Sequence, residues 1–193
     1  MATLADFIDT NGRANYRGLV NLVRETSLPV FVNQAKHPFL VGKQLYEGHL
    51  WRPQGCAASA TMRFSREEFK MSVDEASGKI DVDSPSVGKA VFALCKKLDS
   101  ETPPNVFSIG RFQTNDMVIA DYAISKNHAS VIVFFKKYFL VDLDSTNGTA
   151  VNGQRLQPNV KVEIPVGCTI TFGRFDFVLV PADALHSRLL RLL

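Results

Sequence analysis

The sequence is short of the features that mark several large functional classes. It has three cysteines, Cys56, Cys95 and Cys168, with no Cys-x-x-Cys among them. An odd, widely spaced set offers neither a disulfide framework nor a zinc-ligand pattern, and reads as small apolar side chains in a reducing compartment. Net charge is nearly absent. The 22 basic and 19 acidic side chains leave +3, and no Lys/Arg run exceeds two. That excludes a nucleic-acid binder working by bulk electrostatics. No apolar run approaches the roughly 18 residues of a membrane span. The opening MATLADFIDTNGR carries Asp6 and Asp9 where a signal peptide would need an apolar core. The expectation is a cytoplasmic protein without a membrane span. Phosphate-loop, dinucleotide and Gly-x-Ser-x-Gly patterns are missing, and the SGK at 77–79 has no glycine at Walker spacing before it. His37, His49 and His186 are scattered without ligand spacing, so neither a metal nor a cofactor is expected.

What is present falls into two styles. Residues 1–64 read as a partly helical extension. Thr3 and Asp6 form a capping arrangement, Leu4, Phe7 and Ile8 share a face, as do Leu19, Leu22 and Val23, and Asn11-Gly12 separates two short helices. Pro29 is expected to break the pattern. FLVGKQLYEGHLW reads as a strand, a turn and a second strand. Residues 65–88 are polar and aperiodic, a linker or connecting segment.

From about residue 89 to 181 the pattern is short runs of period two, rich in Val, Ile and Phe: AVFALCKK, NVFSIGR, MVIADYAIS, HASVIVFF, KYFLVDL, VKVEI, CTITF and RFDFVLV. In CTITF, Cys168, Ile170 and Phe172 oppose Thr169 and Thr171. Asn147-Gly148, Asn152-Gly153 and Pro165-Val166-Gly167 supply turns between the runs. Many short strands without intervening helices predict a mainly β fold, an antiparallel β-sandwich. The tail 182–193 places Leu185, Leu189 and Leu192 at helical spacing, an amphipathic helix folded back on the sandwich or, as the alternative, a self-association element.

Three motifs stand in order along the β region: Gly110-Arg111 with Asn115-Asp116; Ser125-Lys126-Asn127-His128; and Asp142-Leu143-Asp144-Ser145-Thr146-Asn147-Gly148 with Asn152-Gly153. Any one alone is a turn or a surface arginine. Together, at spacings of 14 and 20 residues between Arg111, Ser125 and Ser145, they resemble the forkhead-associated (FHA) family over about half of the chain. The resemblance implies an FHA-type sandwich that binds a phosphothreonine-containing segment of a partner and catalyses nothing. It implies Arg111, Ser125, Lys126 and Thr146 as phosphate contacts and Asn147 as a contact to the peptide backbone. It also implies Gly110, His128 and Gly148 as structural supports. The physical demands agree. A phosphothreonine carries about −1.5 to −2 charges and three strong acceptor oxygens, and its site needs cationic and hydroxyl donors on loops held by a rigid scaffold.

The family further implies a signalling adaptor downstream of Ser/Thr kinases, whose partner is a kinase or a kinase substrate, with flanking-residue preference set by 112–123 and 153–159; the arrangement of an extension followed by this domain reads as bacterial. The alternative is a scaffold of the same fold that acts without phosphorylation. An enzyme in residues 1–88 is a weaker alternative, since no catalytic cluster stands there, and Ser125, His128 and Asp121 lie too close along the chain for triad geometry. Thr3, Thr10 and Thr26 in the helical arm are candidate modification sites that the domain could read in its own chain.

Overall fold

This computed structural model describes residues 2–42, 61 and 90–191. The expected linker 65–88, the second strand expected near residue 50, Cys56, His49 and Leu192 lie outside the described residues.

Two sheets form the core. One has six strands in the order β2-β1-β11-β10-β7-β8: β1 Phe39–Gly42, β2 Val91–Ala93, β7 Thr149–Val151, β8 Gln154–Arg155, β10 Thr169–Phe172 and β11 Phe175–Val180. The other has five in the order β4-β3-β5-β6-β9: β3 Val106–Gly110, β4 Met117–Val118, β5 Ala129–Phe134, β6 Lys137–Asp142 and β9 Val162–Ile164. Every pairing is antiparallel except β3 with β4, where Ile109 stands opposite Met117. The space between the sheets is filled by Leu40, Phe92, Phe107, Ile109, Val131, Leu140, Ile170, Phe172, Phe177 and Leu179, with the other buried residues of the same cluster. The β-sandwich expected from the period-two runs is therefore the observed architecture.

One region departs from simple alternation, and the reason is physical. β1 and β2 read as continuous apolar runs, as does β11 from Phe177 onward, because both of their faces are covered there. Leu40, Phe92, Phe177 and Leu179 point into the sandwich, while Phe39, Val91, Ala93 and Val180 point out into a second apolar cluster. That cluster lies under α1 Tyr16–Glu25, α2 Leu28–Ala35 and α3 Ala182–Leu190, which supply Leu19, Leu22, Val23, Phe31, Leu185 and Leu189. The N-terminal arm and the tail thus share one layer on the outer face of the six-stranded sheet. The sequence sets the sandwich's start near residue 89, but β1 comes from ahead of that point and lies between β2 and β11.

Two local expectations are corrected. Pro29 does not end a helix; it occupies the first turn of α2, where a missing N–H costs nothing. Asn-Gly favours primed hairpin turns, and Asn147-Gly148, expected as one, does not form it. Only Gly148 there has a positive φ (+80°), whereas Asn152 and Gly153 are both positive (49° and 82°). The capping expectation at the N-terminus matches the structure: the Thr3 backbone N–H and hydroxyl both donate to the Asp6 carboxylate, at 2.7 and 3.0 Å.

Candidate functional site

The strands position three loops at one end of the sandwich. β3 ends at Gly110, β5 begins at Ala129, and β6 and β7 end and begin at Asp142 and Thr149. Arg111, Ser125 and Thr146 therefore each sit just off a strand end, and hydrogen bonds tie the loops together in series. The Arg111 backbone N–H donates to the Ser125 carbonyl at 2.9 Å. The Thr146 backbone N–H donates to Ser125 Oγ at 3.0 Å, and the two hydroxyl oxygens are 3.4 Å apart. The structure brings these three residues together at a common rim.

Each cation at this rim is held by an aromatic face. Arg111 Nε donates to the Ile124 carbonyl at 3.2 Å, and its guanidinium carbon stands 5.2 Å from the Tyr122 ring centre. Lys126 is exposed, with Nζ 4.9 Å from the centre of the Phe112 ring. Such stacking limits side-chain freedom before any ligand arrives, without neutralising the charge. Asn147 donates its side-chain amide to the Ala123 carbonyl at 2.8 Å, so it also braces the loop ahead of Ser125. The sequence assigned it to peptide contact alone.

The expected supports act through specific contacts. A Cβ on Gly110 would run into the Lys126 backbone carbonyl and come within 2.7 Å of Asn115 Nδ2, so only glycine permits this approach of β3 to the Ser125 loop. At Gly148 a Cβ would stand in the Arg155 guanidinium, and the positive φ independently favours glycine. His128 is fully buried. Its Nδ1 accepts from the Ser125 backbone N–H at 3.1 Å and its Nε2 faces the Gly148 carbonyl at 3.3 Å, so the neutral ring with hydrogen on Nε2 satisfies both partners. Burial drives its pKa down to about 4, against partial opposition from the Asp142 carboxylate and the Gly148 carbonyl. One imidazole therefore joins the second and third loops. Both ring nitrogens face backbone groups, and the Asp121 carboxylate is paired with Arg174, so these residues do not compose a nucleophilic triad.

Three carboxylates do structural work that the sequence reading did not assign. Asp142 accepts from Ser145 N at 3.1 Å, Ser145 Oγ at 2.5 Å and Thr149 Oγ1 at 2.5 Å, which fixes the loop bearing Thr146 and Asn147. Asp116 takes the Ser108 N–H and hydroxyl at 2.9 and 3.0 Å and the Lys96 ammonium at 2.9 Å. Burial pushes the Asp116 carboxyl pKa up, but these donors outweigh it and hold it below the usual value. Asp121 accepts from Arg174 and from the Ala123 N–H. An acid at the end of an apolar strand with Ser three residues later is the one signal that could have revealed Asp142, since that spacing suits a side-chain-capped turn. Among the described residues no His/Cys/Asp/Glu group suits a metal ion, and no helix is long and apolar enough to cross a membrane.

The same stretch of sequence has known relatives. The FHA domain family model matches residues 107–173. The chain is 34% identical over 92 residues to the ABC transporter ATP-binding/permease protein Rv1747 of Mycobacterium tuberculosis, covering 48% of this chain and 10% of that protein. It is 37% identical over 60 residues to the human (Homo sapiens) nuclear inhibitor of protein phosphatase 1, covering 30% and 17%. The chain therefore spans only a small part of the length of these curated relatives. Among solved structures, the FHA domain of the CT664 protein from Chlamydia trachomatis is 28% identical, with a TM-score of 0.39 over 49% of this chain and 87% of that one.

Proposed function

We propose, from the premise that residues 107–173 of this chain are an FHA domain, that the rim formed by Arg111, Ser125 and Thr146 binds a phosphothreonine in an extended segment of a partner protein. The observation that carries the reading is the hydrogen-bonded series from the Arg111 backbone through Ser125 to Thr146, which holds two hydroxyls 3.4 Å apart on loops tied to the one that bears the Arg111 guanidinium. A phosphate dianion has the charge and the acceptor oxygens to take all of them. Ser125 Oγ already accepts from the Thr146 N–H, so its own proton is the one available for donation, now spent on a long 3.4 Å contact. Lys126, held over Phe112, adds an exposed cation at the mouth of the site. Asn147, on the same loop as Thr146, hydrogen-bonds the peptide backbone beside the phosphothreonine while its amide keeps Ala123 in place.

In this reading the chain is an adaptor that recruits proteins marked by Ser/Thr kinases and has no catalytic part of its own. The test uses matched peptides carrying phosphothreonine, phosphoserine or plain threonine, with affinity measured by calorimetry. The expected order is phosphothreonine, then phosphoserine, then no measurable binding to threonine. One buried methyl is worth about 1–3 kcal/mol, so the first two should differ by about tenfold or more. Arg111→Ala should cost about 2–5 kcal/mol, as does removal of one partner from a desolvated charge pair. Partner capture that persists unchanged in Arg111→Ala would instead mark a scaffold that ignores phosphorylation.

A further inference from the structure

At the other end of the five-stranded sheet, the β5–β6 hairpin ends in a feature that peptide recognition at the rim does not use. Phe134 pairs with Lys137 across the strands, so the connection is the two-residue turn Phe135-Lys136. Both turn residues have positive φ, 46° and 63°. That is the geometry of a primed turn, in which Asn and Gly sit without strain and a bulky aromatic does not. The rings are also left in water. Phe135 is 85% exposed and Phe134 54%, packed edge to face with centroids 4.4 Å apart. Folding alone would favour a smaller, polar turn.

Cations surround these rings. Lys136 lies in the turn itself. Lys161 places its ammonium 5.9 Å from the Phe134 ring centre and 4.1 Å from that of Phe139. Lys137 pairs with Glu163 at 3.1 Å, with both side chains largely exposed. Three lysines against one glutamate leave the tip positive.

We propose that this tip docks the protein onto the surface of an anionic phospholipid bilayer. The two rings would sit at the boundary between headgroups and acyl chains, and Lys136, Lys137 and Lys161 would face the lipid phosphates. Aromatic side chains favour that boundary, and each lysine near an anionic leaflet adds attraction. Two exposed rings beside three lysines suit an anionic lipid surface, which is deformable and accepts them without a matching pocket. The placement also permits simultaneous use of both ends. β5 and β6 run from the tip to Ala129 and Asp142 beside the rim, a distance of roughly 17 Å for strands of this length. Docking by the tip would hold the rim away from the bilayer.

The test is co-sedimentation of the full chain with phosphatidylcholine vesicles, with and without phosphatidylserine. Wild type should bind the phosphatidylserine vesicles, release as salt rises, and ignore phosphatidylcholine alone. The double variant Phe135→Asn with Lys136→Gly removes one ring and one cation while supplying the residues a primed turn prefers. It should melt at or above the wild-type temperature and lose binding by tenfold or more. Lys161→Gln, which leaves the turn intact, should weaken binding severalfold and serves if the double variant fails to fold. Absence of vesicle binding by wild type, equal binding to both vesicle types, unchanged binding by the folded variants, or tip-dependent capture of a protein with vesicles ignored would each overturn the proposal.

Discussion

Lowering the pH from 7 to 5 should weaken the fold through the single imidazole that joins two of the site loops. His128 is fully buried, and burial lowers its pKa from the ordinary 6.5 to about 4. Above pH 6.5 the ring is neutral in both folded and unfolded chains, and its full contribution to stability is present. Between 6.5 and 4 the unfolded chain takes up a proton that the folded chain refuses, so stability falls. Below 4 both forms are charged and the loss levels off. The loss amounts to about 2 kcal/mol at pH 5 and about 3 kcal/mol at pH 4. Protonation of Nδ1 also removes the acceptor for the Ser125 N–H, so the folded site should loosen only as pH approaches about 4, below the range in which most of the stability is lost. Urea unfolding at a series of pH values, for wild type and His128→Gln, isolates this component from other groups such as His37, whose pKa burial also lowers. The variant should be less stable at pH 7 and show a shallower decline toward pH 5. An imidazole that titrates near 6.5 in the folded protein by NMR, or identical slopes in the two proteins, would refute the reasoning.

Gly110→Ala sets a methyl against the Lys126 carbonyl and should cost about 2–3 kcal/mol in chemical denaturation, with weaker phosphopeptide binding because the Ser125 loop must shift. Asp116→Ala strips the Ser108 N–H of its acceptor and the Lys96 ammonium of its counter-charge, and should cost about 3 kcal/mol by the same measurement. Because the Asp116 carboxyl pKa is held below its usual value, that contribution is present at neutral pH and is lost in wild type only as pH falls through the folded-state value. Phe31→Ala opens a cavity between α2 and the outer face of the sheet and should cost about 3–5 kcal/mol, while calorimetric affinity for a phosphothreonine peptide stays within twofold.

The β-sandwich was legible because most strands of the five-stranded sheet and β10 cover only one face, so burial alternates along the chain; Ile170 and Phe172 point inward while Thr169 and Thr171 do not. The helical layer was harder to read. α2 carries Leu28, Pro29, Val30, Phe31 and Val32 in a row, with only Phe31 buried, so it lacks a helical stripe, and the proline suggested a stop. β1 and β2 are continuous apolar runs whose partners lie far along the chain, and no local pattern reveals that β1 pairs with β11. At the site, three motifs in order were enough to carry the FHA resemblance that nominated Arg111, Ser125 and Thr146, and each of these stands just outside a strand. The bracing roles of Asp142, Asp116 and Asn147 were not legible, since a carboxylate or amide that serves its own loop looks in sequence like any other polar turn residue.

Amide shift mapping with a phosphothreonine peptide tests the central claim most directly. A single ligand point at the strand ends predicts the largest changes at Arg111 and Phe112, at Ser125 to Asn127 and at Ser145 to Asn147, with little change in the helical layer or at Phe134 and Phe135. Shifts centred on the helices or the β5–β6 tip, or an unphosphorylated peptide that produces the same pattern, would contradict it.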